Sequence, residues 1–479
     1  MGRTTGAVHR AVDMNKRPPA KGRNAWLTYL EILIGKRKEE SQRATLIRGS
    51  GGTFALKIGS VILGFAVSIS LTRILGSHGY GIYAYAMAWV NVLAIVATLG
   101  MHGVLVRQMA IYQSQDRGDL LRGMVRFSTY VAIGASLAIL AIAYLGTWTW
   151  QDAIDPELRS ALWTALLIIP VYALVKMRES AMMGLQRAVM GQMPNMLIQP
   201  AVFLVLVWLA YLVINGALTP MQSLLLQLAA VFATLIVGSR WLSSTLSKIY
   251  SKNECHYEIR PWLASAMPLL FVQCMQVINN KANIVLLGTL DTMQSVGIYS
   301  VASQVSSLIS FVLLAVNAPL APVIARLHSN GETSELQKVI TKSARLVLFV
   351  SLPIAVFFML YGDWVLSFFG QDFTAGAQAL AILATGQLIN VAMGSVGVIL
   401  VMTGHEKTVA ASFSLAAALN LTLSAALIPQ WGIMGAATAT ACSIIIWNTL
   451  LMLKIRRFLK IDTTALGSIT KRLTQGGNT

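Results

Sequence analysis

Residues 71–90 read LTRILGSHGYGIYAYAMAWV, set between two long apolar runs and followed at 104–110 by VLVRQMA. About two hundred residues later, 283–305 read NIVLLGTLDTMQSVGIYSVASQV, followed at 321–327 by APVIARL. Gly76 answers to Gly288, Gly81-Ile82-Tyr83 to Gly297-Ile298-Tyr299, and Arg107 to Arg326, with a few residues inserted in the second turn. Self-similarity at this distance fixes architecture before any local reading does. A duplicated hydrophobic unit in one chain is the mark of a membrane protein built from internal repeats. The reading that follows is two related membrane halves facing each other across a polar cavity.

Composition agrees. The 479 residues are 56% hydrophobic and only 12% charged, whereas soluble proteins carry roughly 25% charged residues. About twelve apolar segments run from residue 53 to residue 455, the fourth over 158–176, and several exceed the roughly 18 residues that mark a spanning helix. The expected fold is therefore all-α and integral to the membrane.

The net charge of +18 points to topology and not to nucleic acid, because the basic residues sit in tails and loops with no basic domain interleaved with aromatics. Of the 37 Lys and Arg, all but four fall in the two tails and one alternate set of loops, among them Arg126, Lys176 and Arg178. Arg73 and Arg159 lie in the opposite loops, and Lys57 and Lys281 inside predicted spans. That asymmetry places both termini in the cytoplasm. The opposite loops are short, the longest near 148–157, so no extracytoplasmic domain is expected. Residues 1–48 form a basic extension with no apolar core of a cleavable signal peptide, in which 24–34 are expected to be either a short amphipathic surface helix or disordered tail. The expected division is this extension, an N-lobe over 49–247, a linker over 248–260, a C-lobe over 261–457 and a tail over 458–479.

Polar residues inside the spans fall into stripes at helical spacing. Thr53, Lys57, Ser60, Gly64, Ser68 and Thr72 share a face of the first span; Gln273, Gln276, Asn280 and Asn283 do so in the seventh; Tyr299, Ser303, Ser306, Ser310 and Asn317 do so in the eighth. Each stripe alone is as well explained by helix packing; three together favour a shared wet cavity. Lys57 and Lys281 are costly in a membrane, roughly 2.5–3.5 kcal/mol at a helix centre, and Arg73 sits at the outer mouth of the first span. No Asp or Glu is predicted inside any span. The candidate substrate-binding residues are thus Lys57, Arg73, Gln273, Gln276, Asn280, Lys281, Asn283, Ser303 and Asn317. Amides, hydroxyls and lysines without carboxylates suit an anionic, sugar-bearing substrate. Cys255, Cys274 and Cys442 and the six histidines show no metal-ligand spacing, and no phosphate loop of the Walker type occurs, so no metal, cofactor or catalytic residue is expected.

With LTRILGSHGYGIYAYAMAWVNVLAIVATLGMHGVLVRQMA, LLGTLDTMQSVGIYSVASQV and, at 426–443, ALIPQWGIMGAATATACS, the chain resembles the polysaccharide-biosynthesis branch of the multidrug/oligosaccharidyl-lipid/polysaccharide (MOP) exporter superfamily, which includes O-antigen and exopolysaccharide repeat-unit flippases. The resemblance implies two six-helix lobes related by a pseudo-twofold axis, with helices 1, 2, 7 and 8 around a central cavity. It implies movement of an undecaprenyl-type, pyrophosphate-linked glycan from the cytoplasmic to the outer leaflet of the inner membrane by alternating access. The implied partners are that glycan, membrane lipids and a polysaccharide polymerase or export machinery. The alternatives are an ion-coupled multidrug or organic-cation antiporter on the same fold, a peptidoglycan-precursor flippase, and a membrane glycosyltransferase or polymerase, for which the loops leave no catalytic domain.

Overall fold

The computed structural model describes residues 25–149, 155–214, 216, 218–249 and 255–465, with side chains from residue 51 onward except at 147–149 and 248–249. The first part of the basic extension, the loop residues 150–154, the linker residues 250–254 and the tail beyond 465 lie outside the described residues. Residues 25–50 are helical. Every other described element is also helical, and no strand occurs among the described residues.

Among the described residues ten helices are long and apolar enough to cross a membrane, and two of them fold back on themselves. Gly76 breaks the stretch Gly51–Thr98 with φ 69°, a left-handed conformation that glycine adopts without a steric penalty. The hydroxyls of Ser68 and Tyr80, twelve residues apart, then meet at 2.8 Å; along a continuous helix they would be about 18 Å apart. Gly432, φ 51°, does the same in Glu406–Leu459, and the Ser443 hydroxyl donates to the Ala416 carbonyl at 2.9 Å. The result is twelve crossings: α1 (51–75), α2 (77–98, continued by Met101–Ser114), α3 (Gly118–Gly146), α4 (Pro156–Gly184), α5 (Ala188–Val213), α6 (Pro220–Ser247), α7 (Ile259–Leu290), α8 (Met293–Ser329), α9 (Thr333–Leu360), α10 (Gln371–Met402), α11 (406–431) and α12 (433–459). Residues 51 and 459 therefore lie on one face, called here the termini face; Gly76 marks the other. The belt between is unsuited to water, with Val213 80% and Phe349 79% exposed. A multi-pass membrane protein follows.

The helices are longer than their hydropathy. The fourth apolar run, expected to end at 176, continues as helix to Gly184, so Lys176, Arg178 and Glu179 belong to α4 and not to a loop. Arg126 likewise lies inside α3. Charged residues end a hydropathy window but not a helix whose backbone bonds are already satisfied. The expectation that no carboxylate lies inside a helical span is thereby corrected: Glu179 is 8% exposed within α4.

The repeat is visible at the Gly76 face. Gly81 of α2 and Gly297 of α8, matched in the sequence, pack against each other: a Cβ on Gly81 would strike the Met293 carbonyl, and one on Gly297 the Ser77 carbonyl. The turns themselves differ. The first lies at Gly76, but the second lies at Asp291, three residues after Gly288, where the Thr292 hydroxyl caps α8 by accepting from Ser295 N at 3.2 Å. Gly288 instead admits the Tyr85 ring of α2. Cross-lobe bonds at this face run from Ser68 to Gln304 (2.7 Å), Ser77 to Asp372 (3.0 Å) and Arg73 Nε to the Phe368 carbonyl (2.9 Å). At the termini face α2 meets α7, with Gly100 against Ala266 and the fully buried Trp262 donating to Tyr112 at 2.9 Å.

Candidate functional site

Two polar pockets lie on either side of α7. The larger, about 890 Å³, is walled by α7, α8, α10, α11 and α12. Gln276, Asn280, Ser307, Ser310, Asn317, Asn390 and Asn448 give it amides and hydroxyls, Phe413 and Trp447 give it aromatic surface, and no charged side chain lines it. The two aromatic rings lie 4.0 Å apart between centroids. The smaller pocket, about 420 Å³, is walled by α2, α4 and α7 through Asn91, Thr98, His102, Tyr172, Lys176, Gln273 and Gln276. Gln276 lines both.

Polar side chains at this depth need partners, and many are supplied within the walls. Asn448 Nδ2 donates to Asn390 Oδ1 at 3.0 Å, while the Asn448 and Asn317 carbonyl oxygens are buried without a partner. α10 breaks at Gly394–Ser395, and residues 394–398 form part of the wall. Non-helical backbone within a membrane is tolerated where it lines a cavity or is buried in protein, and a discontinuous helix is the structural pointer to a transporter's binding site.

The charge at these pockets lies in the smaller one. Lys176 Nζ, 29% exposed, donates to Glu179 Oε2 at 3.1 Å and sits 5.6 Å from the Tyr172 ring centre. Asn195 Nδ2 of α5 also donates to Glu179 Oε2, at 3.2 Å. Ser180, one residue further, contacts His102 Nδ1 and donates to the Lys176 carbonyl at 2.6 Å. Glu179 is thus held toward α5 and is absent from the pocket wall, whereas Lys176 lines it.

Of the nine residues expected to bind substrate, the structure brings four together: Gln273 and Gln276 in the smaller pocket, Gln276, Asn280 and Asn317 in the larger. Ser303 lies one turn before Ser307 on the same face of α8 but outside the wall. Lys281 is half-buried one turn beyond Val277, and Lys57 half-buried on α1; neither has a hydrogen bond or ion pair among the described residues, and neither lines these two pockets. Arg73 is engaged at the Gly76 face as described. Asn283 lies elsewhere: 4% exposed in the C-lobe interior, it donates to Tyr299, Thr440 and the Ala436 carbonyl and accepts from Ser424 at 2.8 Å. A single step of the α7 helix takes the stripe from cavity to core, which a wheel of one helix cannot show.

Lys176, His102, Asn390, Asn448 and Trp447 were not anticipated. A signal for two of them was present, because Asn91, Ile95, Thr98 and His102 recur at helical spacing on α2, and Tyr172 and Lys176 do so on α4. The partners of that stripe, on helices far apart in sequence, were not visible.

Comparison with known proteins agrees with this architecture. Residues 46–328 match the family described as "Polysaccharide biosynthesis protein". The chain belongs to that family. Residues 268–426 also match the MatE family. A Haloferax volcanii protein named "Probable low-salt glycan biosynthesis flippase Agl15" is 24% identical over 414 residues, covering 85% of this chain and 82% of its own length. Among solved structures, the lipid II flippase MurJ in an inward closed conformation superposes with a TM-score of 0.63 at 16% identity, over 90% of this chain and 93% of that one. An inward-facing multidrug-resistance MATE transporter of the MOP superfamily superposes with a TM-score of 0.62 at 12% identity, over 85% and 94%. This member of the polysaccharide biosynthesis family therefore has the MOP fold.

Proposed function

We propose that the protein is a flippase that moves an isoprenoid-pyrophosphate-linked oligosaccharide between leaflets by alternating access, and that it performs no catalysis. The observation that carries this reading is a division of charge: an uncharged pocket of amides, hydroxyls and aromatics shares Gln276 with a pocket lined by Lys176. Sugars hydrogen-bond to amides and stack on Trp447, and a pyrophosphate takes a cation. The isoprenoid chain stays in lipid, because moving it through a polar pocket would forfeit its burial. The larger pocket, at about 890 Å³, falls in the roughly 300–1,000 Å³ of ordinary ligand pockets, enough for a short glycan and not for a long lipid tail.

In this reading Asn280, Asn317, Asn390 and Asn448 bind sugar hydroxyls, Gln273 and Gln276 bridge, and Lys176 with His102 receives the phosphates. Lys57 and Lys281 supply charge along the approach and exit, and Arg73 secures the closed Gly76 face. The basic asymmetry assigns the termini face to the cytoplasm of an inner membrane, with the lobes divided at the linker 248–260. Cation antiport on the same fold would need a carboxylate open to the pockets, and Glu179 is held by Lys176 and Asn195.

The test is genetic and chemical. Cells lacking the protein accumulate one isoprenoid-linked glycan on the leaflet where it is assembled, and the wild-type gene restores its transfer. Unchanged leaflet distribution of every such glycan, with loss of cation efflux instead, overturns the reading.

A further inference from the structure

A further polar pocket, of about 270 Å³, opens on the lipid-facing side of the N-lobe, where α3 and α6 both pack on α4. Its walls hold two guanidinium groups, Arg126 and Arg178, and four hydroxyls, Thr129, Tyr130, Ser239 and Ser243. No acid lines it. Arg178 Nη1 donates to Thr129 Oγ1 at 3.1 Å, and its Nε is buried without a partner. Arg126 is exposed and makes no hydrogen bond or ion pair among the described residues. Glu179, adjacent in sequence, is turned to Lys176 and Asn195 and forms no ion pair with either arginine.

Depth identifies the setting. Arg126 lies eight residues into α3 and Arg178 six residues before the end of α4, placing both about 9–12 Å in from the helix ends on the termini face. That is where headgroups meet acyl chains. The helix faces that form the pocket continue into the membrane as exposed apolar tracks: Tyr130 leads to Ile133 and Leu137 on α3, and Ser239 leads to Ile236 and Phe232 on α6. Two guanidiniums lining one pocket that no acid lines are matched by phosphate oxygens, which arginine binds with paired donors. The tracks beyond them are matched by acyl chains. The pocket has room for a headgroup phosphate but not for the chains, which would lie along the grooves.

We infer that this pocket binds the phosphate of an anionic membrane lipid, at a site separate from the two pockets at α7 and independent of the function proposed for them.

The experiment is native mass spectrometry of the full-length protein released from detergent, titrated with phosphatidylglycerol, phosphatidylcholine or inorganic phosphate. The wild type retains one phosphatidylglycerol in preference to phosphatidylcholine, and inorganic phosphate does not displace it. Arg126→Gln, at an exposed position that folding does not require, weakens retention roughly fivefold, the usual effect of one interfacial basic residue; Arg178→Lys, which keeps the charge but loses the fork, also weakens it. Arg457→Gln, at an exposed position at the end of α12, leaves retention unchanged. Equal retention by Arg126→Gln, equal binding of phosphatidylcholine, or displacement by inorganic phosphate overturns the inference.

Discussion

Lys176 and Glu179 meet at 3.1 Å one turn apart on α4, with Asn195 completing the carboxylate. Removing Lys176 strands the buried Glu179 carboxylate, and removing Glu179 leaves the partly exposed ammonium without its partner, so either loss alone costs more than removing both. Glu179→Gln and Lys176→Gln are each expected to lower the melting temperature in detergent, and the double variant to recover part of the loss. The cycle should give a coupling on the order of 1–3 kcal/mol. Additive effects would show that the pair does not interact. Asn283 makes a contrasting case. Its amide ties α7 to α8, α11 and α12 in the interior of the C-lobe, so Asn283→Ala should cost about 1–3 kcal/mol of stability through its orphaned partners. Asn280→Ala, three residues earlier on the cavity wall, should spare stability and reduce glycan transfer. Thermal melts paired with transfer assays separate the two; equal destabilisation would place Asn280 in the core as well.

At the scale of elements, the hairpins α1–α2 and α7–α8 meet through glycines. Gly81→Ala puts a methyl into the Met293 carbonyl, and backbone on both sides leaves no flexible side chain to yield. The Gly76 face should then open. A cysteine at Ser77, in a background lacking Cys255, Cys274 and Cys442, should react faster with an impermeant maleimide in the Gly81→Ala variant; unchanged reactivity would mean that the face does not close on these glycines. The duplicated GIY motif was legible in the sequence because both copies face the same structural demand. The helix ends were not legible. Charges at 176–179 end an apolar window, but the α4 backbone has no reason to stop until Gly184, and so the carboxylate of Glu179 was read as lying outside a span. The break at Gly394–Ser395 was hidden for the converse reason: its flanks are apolar, and hydropathy averages across a bend.

For the molecule as a whole, the all-helical membrane fold and the repeated segment were readable, since hydropathy and repetition are properties of the chain itself. The cavity was readable only in part. Gln273, Gln276, Asn280 and Asn317 stand on the two helices nearest the lobe boundary, whereas Asn390, Asn448 and Trp447 reach the larger pocket through the packing of α10 and α12, which no single-helix pattern records. An anionic substrate leaving an inside-negative cell is driven by roughly 2.3 kcal/mol per charge per 100 mV. In proteoliposomes, transfer of a pyrophosphate-linked glycan away from the negative side should accelerate when a potassium diffusion potential is imposed. A rate indifferent to the sign of the potential would indicate that the charge does not cross with the sugars.

The alternating access proposed above would require the Gly76 face to part during each cycle, and Ser77 and Asp372 bridge that face at 3.0 Å. The decisive measurement is leaflet transfer of a fluorescent undecaprenyl-pyrophosphate oligosaccharide in liposomes containing a Ser77→Cys, Asp372→Cys variant without native cysteines, joined by a short reducible cross-linker. The protein should transfer the lipid when reduced and stop when cross-linked. Transfer at the same rate in both states would contradict movement of the glycan by parting of the Gly76 face.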